Sequence, residues 1–162
     1  MKIKIASELD LPSIVAIYNE SIPGRLATAD TELVSIESRL EWFRNHKNKR
    51  PLWVAEKNQE IIGWVSLQDF YGRCAYQKTA EFSIYIKSAY QRQGVAQKLL
   101  SHLINECYSL EISTLLGFIF AHNHPSIQLV KKFGFEEWGY LPRIAHLDGM
   151  EKDLKIFGLK IV

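Results

Sequence analysis

Hydrophobic positions change period repeatedly along the 162-residue chain, and each change marks an element. Ile3 and Ile5 alternate with lysines, which predicts a short half-buried strand. After Asp10 the apolar residues Leu11, Ile14, Val15, Ile17 and Tyr18 fall on helical spacing. Asp10 is the expected cap, and Pro12 sits in the first turn, where its missing N–H costs little. From Asn19 to Thr31 no period holds, and Pro23, Gly24 and Arg25 interrupt the chain. A stretch of that length is either a plain connector or a wall of a substrate site. Helical spacing returns from Ser35 to Lys47 through Ile36, Leu40 and Phe43, and Pro51 closes the region. Leu52 to Glu56 and Ile61 to Leu67 then flank the tight turn at Asn58-Gln59, which predicts a hairpin. Asp69 to Lys78 is polar and aromatic, with Tyr71, Arg73, Tyr76 and Gln77.

The central stretch runs from Thr79 to Tyr108. Phe82 to Ile86 is rich in β-branched and aromatic residues, as a strand is. Val95, Leu99, Leu100, Leu103, Ile104 and Cys107 form one apolar helical face. Between them, Gln91 to Ala96 joins strand to helix through a single glycine, Gly94. Such a loop is an ordinary turn or an anion cradle, because the first N–H groups of a helix lack partners and lie at its positive end. Thr114 to Phe120 is nearly all apolar, as expected of a strand covered on both faces. Asn123 and Pro125 open a further helix over Ser126 to Phe133, and Gly134 ends it. Phe135 to Leu141 and Lys152 to Lys160 read as two final strands. The order β-α-α-β-β-β-α-β-α-β-β predicts a mixed α/β fold with a mostly antiparallel sheet, the strands around the central helix being parallel neighbours.

Composition narrows the class. The length fits one domain, residues 1–162, and 47% of the residues are hydrophobic, enough for a substantial core. A formal net charge of +2 gives no basis for nucleic acid or a membrane surface as partner. Cys74 and Cys107 lack metal-ligand spacing and read as free thiols of a reducing compartment, so a cytoplasmic protein without a metal is expected. The opening residues carry no signal-peptide run, and no stretch approaches a membrane span.

Gln91-x-x-Gly94-x-Ala96 resembles the Gln/Arg-x-x-Gly-x-Gly/Ala signature of the GCN5-related N-acetyltransferase (GNAT) superfamily. Asn123-x-x-Ser126 and Lys132-Phe133-Gly134-Phe135 resemble that superfamily's next motif. Ala80 to Ile86, Gly139-x-Leu141-Pro142 and Asp153-Leu154 are similar to its phosphinothricin acetyltransferase branch, which acetylates amino groups of small amino acids and analogues and whose members are commonly dimers. The resemblance implies acetyl-CoA as cosubstrate. It places the pyrophosphate on Gln91, Arg92, Gln93, Gly94, Val95, Ala96 and Gln97, and the pantetheine arm along Ile84, Tyr85 and Ile86. An N–H there can face the thioester oxygen where charge develops. Asn123 and Ser126 are expected to reach the cofactor, although a simple helix cap explains them as well.

Acetyl transfer needs a neutral amine, so some group must take a proton from the ammonium. Glu81 stands at the family's glutamate position and is the candidate base. The family's proton donor to the departing thiolate is matched by Val130, which cannot serve; Tyr85, His124 and Tyr140 are the substitutes, or solvent acts instead. The branch's carboxylate-binding arginines are matched by Gln77 and by Gly149-Met150-Glu151, so the expected clamp is absent and Arg25, Arg73 or Arg143 would replace it. Arg25, Tyr71, Arg73, Tyr76 and Glu81 are the candidate substrate contacts. The acceptor is expected to be a small amine, with a protein N-terminus, a polyamine, an antibiotic amine or a non-catalytic acyl-CoA sensor left open.

Overall fold

A computed structural model describes residues 1–162. Its seven strands form one sheet in the order β1-β2-β3-β4-β5-β7-β6. They span Lys2–Ile5 (β1), Leu52–Lys57 (β2), Glu60–Asp69 (β3), Thr79–Ile86 (β4), Thr114–Phe120 (β5), Glu136–Leu147 (β6) and Met150–Lys160 (β7). The helices are Leu11–Ser21 (α1), Ile36–Arg44 (α2), Val95–Glu106 (α3) and His124–Lys132 (α4). β4 and β5 are parallel; every other neighbouring pair is antiparallel. The element order and the parallel pair agree with the sequence pattern.

The alternation of β4 divides the molecule. Ala80 and Phe82, with Ile84 and Ile86 partly, join the larger core beneath α3, where Leu99, Leu100 and Leu103 are fully buried. The opposite face carries Glu81, Ser83 and Tyr85 toward α1 and α2, whose smaller core is built on Ile14, Ile17 and Trp64. Cross-strand pairs continue that second face: Trp64 lies opposite Tyr85, Ser66 opposite Ser83, and Gln68 opposite Glu81.

β4 and β5 pair only at Thr79–Thr114, Ala80–Leu115 and Glu81–Leu116. Beyond that point both strands continue without pairing, although β3 still holds β4 and β7 still holds β5. The Phe82 ring lies over Gly117 just where pairing stops; a Cβ on Gly117 would stand 3.0 Å from it. The aromatic ring thus occupies the space between the strands and the sheet opens into a cleft.

Several boundaries differ from the expected ones. Asp10 does not cap α1 with its side chain; its carboxylate accepts from the N–H and hydroxyl of Ser7 across a short 3-10 turn. α1 runs on to Ser21, and α2 stops at Arg44, three residues early. β6 passes through Pro142 and reaches Leu147, because the strand absorbs the proline in an irregularity between Leu141 and Ala145, with Arg143 at φ 52°. Asp148 and Gly149, both at positive φ, then close the β6–β7 hairpin.

Candidate active site

At the C-terminal end of β4, a 3-10 turn over Ser88–Tyr90 leads into the loop before α3. Arg92 (φ 59°) and Gly94 (φ 80°) are both left-handed, which turns successive N–H groups in one direction. The backbone N–H groups from Arg92 to Gln97 make no hydrogen bond within the protein; the first intrahelical bond there is Lys98 N–H to the Gly94 carbonyl at 3.1 Å. A Cβ on Gly94 would meet nothing within 4 Å, so the space beside the cradle is open. A phosphate fits these orphan donors. Gln93 donates to the Ala89 carbonyl at 3.1 Å, bracing the turn. Lys132, from the last turn of α4, donates to the Gln97 side chain at 3.3 Å and brings a cation to the same helix end; the sequence marks it only as the start of the Lys132-Phe133-Gly134-Phe135 motif.

From this cradle the cleft between β4 and β5 leads inward. Phe82 to Tyr85, Gly117 to Ile119, and Asn123, Ser126 and Val130 line it. Asn123 is buried, and its side-chain oxygen accepts from the Ser126 N–H at 3.3 Å, so it does cap α4. The Asn123 amide and the Ser126 hydroxyl donate to no protein group, and both face the cleft. Val130 is buried in the wall. The unpaired edge of β4 past Glu81 offers backbone groups to an extended ligand arm.

A second cavity, of about 190 Å³, lies on the other face of the sheet. Tyr18 of α1, Arg39 and Trp42 of α2, and Trp64, Ser66 and Gln68 of β3 form its walls and floor. Ser83 and Tyr85 line this cavity and the cleft alike, so the two spaces meet at those residues. The chain from 22 to 35 straps over the junction. Tyr85 donates to the Ala27 carbonyl at 3.2 Å, His122 meets the Arg25 carbonyl at 2.9 Å, and Asn19 holds Val34 through two bonds of 3.0 and 2.9 Å. The segment read as a connector or a site wall is therefore a tied-down wall.

Glu81 is half-buried and lines neither the cleft nor the cavity; it lies opposite Gln68 across the strands and two residues before Ser83 on the same face of β4, and those two neighbours do line the cavity. No protein group hydrogen-bonds or pairs with it, and burial pushes its carboxyl above the ordinary glutamate value. Tyr85 is held well above an ordinary phenol by burial first and by neighbouring Tyr18 second. Tyr18 is raised by burial and by its hydrogen bond to the Asp30 carboxylate. Rings of Tyr18 and Tyr85 meet edge-on at 5.0 Å, and those of Tyr85 and Trp64 lie tilted at 4.8 Å.

The remaining predicted contacts lie elsewhere. Arg25 pairs with Asp148 at 3.0 Å and bonds the Ile22 carbonyl at 2.9 Å. Arg73 and Tyr76 line a separate hollow with Gln77, beside Arg50 and Asp69. Tyr71 is exposed and stacks with Phe70. Arg143 lies on exposed β6 with Glu151 at 3.9 Å. Tyr140 bonds Asp153, and His124 is exposed on the first turn of α4. Of the three substitutes for the Val130 position, only Tyr85 borders the cleft. Tyr18, Arg39, Trp64, Ser66 and Gln68 escaped sequence reasoning. The β2–β3 hairpin carried the available signal, since alternation puts Trp64, Ser66 and Gln68 on one face once its register against β4 is known.

A sheet split beside a cradle of free N–H groups, with a second, partly open cavity that shares two of the cleft's lining residues, is an arrangement that suits a transferase with two substrates. Residues 11–135 match the Acetyltransferase (GNAT) family, and the chain belongs to that family. YwnH of Bacillus subtilis, named provisionally as a phosphinothricin acetyltransferase, is 48% identical over 162 residues, covering 99% of each chain. An L-methionine sulfoximine/L-methionine sulfone acetyltransferase of Salmonella typhimurium is 28% identical over 99% of this chain and 95% of its own. A GNAT superfamily phosphinothricin acetyltransferase from Sinorhizobium meliloti, solved in complex with acetyl-CoA, superposes with a TM-score of 0.93 at 26% identity, covering 99% of this chain and 88% of that one.

Proposed function

We propose that the chain is a single-domain N-acetyltransferase that moves an acetyl group from acetyl-CoA to the primary amine of a small molecule, an amino acid or analogue. One observation carries the reading: the donor cleft and the second cavity meet at Ser83 and Tyr85. Acetyl-CoA supplies an activated thioester, and the free N–H groups from Arg92 to Gln97 fit its pyrophosphate. The guanidinium of Arg92 and the backbone of Ile84 to Ile86 are assigned to the same donor site; Ile84, Tyr85, Asn123 and Ser126 line the cleft itself.

Glu81 takes the proton that the acceptor ammonium must lose. Burial raises its affinity for protons above that of an ordinary carboxylate, which makes it the better acceptor. The Tyr85 hydroxyl, which stays protonated, donates a hydrogen bond to the departing thiolate, and solvent supplies the proton that completes the thiol; a thiolate leaves readily, so no strong acid is needed. The strap across residues 22–35, tied at Ala27, Arg25 and Val34, walls part of both spaces through Ala27 and Val34, and the cavity's volume of about 190 Å³ favours a small acceptor over a polypeptide end. The relatives named for phosphinothricin and methionine sulfoximine support the same class.

A homodimer and cytoplasmic residence complete the proposal. The β6–β7 hairpin leaves Trp138, Tyr140, Ile144 and Met150 exposed, which supports association. The free thiols Cys74 and Cys107 support a reducing compartment.

Thiol release with acetyl-CoA across a panel of amino acids, polyamines, aminoglycosides and N-terminal peptides tests the reading. Turnover confined to small amino acids is expected. Tight binding of acetyl-CoA with no transfer to any amine would instead make the chain a sensor.

A further inference from the structure

We propose that Arg39 anchors the acceptor's carboxylate and thereby selects α-amino acids over other amines. The inference rests on the acetyltransferase reading of the second cavity and adds the residue that decides its substrate class. Arg39 is the one charged side chain in the lining of that cavity. It reaches in from the middle of α2, a helix on which no sequence motif falls.

Its guanidinium is positioned, not loose. It lies over the Tyr18 ring at 4.7 Å and near the Trp42 ring at 5.6 Å. Its sole hydrogen bond to protein is from Nη2 to Asp30 at 3.0 Å. A guanidinium carries five N–H donors, so most of the fork remains free on a side chain three-quarters shielded from solvent. Asp30 itself is nearly half exposed, held from the strap by Tyr18 and by its own N–H on the Thr28 hydroxyl at 3.2 Å. The protein thus already places one carboxylate on this guanidinium, and the free donors can take a second in the planar geometry that arginine favours.

The rest of the cavity agrees with an amino acid. The floor offers Ser66, Gln68 and Ser83, whose side chains bond no protein group, next to Glu81, where the amine belongs. Trp42 and Trp64, 5.6 Å apart edge-on, supply an apolar wall for a side chain. Nothing from the β3–β4 connection competes for the role: Arg73 and Gln77 line a different hollow.

The test compares L-methionine sulfone with its carboxamide, the same amine without the charge, in steady-state thiol release. The native enzyme is expected to favour the acid. Arg39→Gln should raise KM for the acid by about ten- to a hundredfold, with KM for the amide changed less than about twofold and kcat nearly constant. Arg39→Lys keeps the cation and loses the fork, so it should show a smaller rise for the acid alone; it carries the test if Arg39→Gln does not fold. Equal shifts for acid and amide, or none, overturn the anchor and leave acetyl transfer standing. If the native enzyme acetylates neither compound, acetyl transfer to this class fails on its own. Calorimetric titration of both ligands then decides the anchor: tighter binding of the acid that Arg39→Gln abolishes upholds it, and equal or absent binding overturns it.

Discussion

Glu81 shows how one side chain links environment, chemistry and stability. Burial without a partner favours its neutral form, so its folded value lies above its unfolded one. As a base it must be ionised, and turnover should therefore fall as pH drops through that raised value. Glu81→Gln should lower kcat/KM by about 10²–10⁴-fold and flatten this acid limb, read from a pH–rate profile; an unchanged profile removes Glu81 as base. The stability sign is opposite. The folded state holds the Glu81 proton more tightly, so the residue favours folding below the ordinary glutamate value, and this contribution is lost as pH rises through the raised value. At neutral pH, Glu81→Gln should thus raise Tm by about 2–4 °C while costing activity, a pairing that a purely structural carboxylate would not give. Tyr85 makes a narrower case. Tyr85→Phe removes only the hydroxyl that donates to the Ala27 carbonyl. Because the thiolate leaves readily, kcat should fall by only about tenfold, with KM for acetyl-CoA little changed; a KM effect alone would recast Tyr85 as a strap tie.

The donor loop and the acceptor cavity were legible to different degrees, and for a physical reason. The cradle from Gln91 to Gln97 is a local structure: strand, glycine and helix follow one another in the chain, so its chemistry could be read directly. The acceptor cavity is assembled from α1, α2, β3 and β4, and its floor depends on cross-strand register that no local pattern states. Trp64 and Ser66 read as part of an ordinary strand, Gln68 lies just past its expected end, and nothing in the helical spacing around Arg39 marks it. The hairpin β6–β7 was cut short at Leu141 because Pro142 reads as a stop, although Asp148-Gly149 offered a turn signal. The local element can be tested locally. Gly94 needs its left-handed φ of 80°, so Gly94→Ala should cost about 1–2 kcal/mol and disturb the cradle even though the added methyl meets no atom. Acetyl-CoA at a hundred times its Kd stabilises a folded protein by about 2.7 kcal/mol, a rise of about 5–10 °C in Tm for a chain of this size. Calorimetry should show that rise in the native protein and less than half of it in Gly94→Ala at the same ligand concentration. An equal rise in both would separate the pyrophosphate from this loop.

At the scale of the molecule, the sheet is two paired halves held together at the short β4–β5 ladder of three positions, with the donor cleft opening beyond it. β3 and β7 flank the split, so ligand entry leaves most of the hydrogen-bonded sheet intact. In the β6–β7 half, β6 is the edge of the sheet, and almost all of its residues are exposed or half-exposed. An edge twelve residues long is a ready template for association unless it is covered or broken. Irregular pairing between Leu141 and Ala145 blunts simple strand addition, which leaves side-chain packing as the mode of contact. Trp138, Tyr140, Ile144 and Met150, 46–60% exposed, are the apolar groups available for it. Trp138 also covers Gly158, where a Cβ would stand 1.9 Å from its ring, so its indole is fixed in place rather than free to fold away. A homodimer through this arm is the expected state in sedimentation equilibrium at micromolar protein. Ile144→Glu, which puts a charge into the contact without touching the core, should raise the dimer dissociation constant by at least about tenfold and leave thermal unfolding of the separated subunit unchanged. A native chain that sediments as a monomer at these concentrations rules out the arm as a stable interface, and a dimer that ignores Ile144→Glu moves the contact elsewhere on the surface.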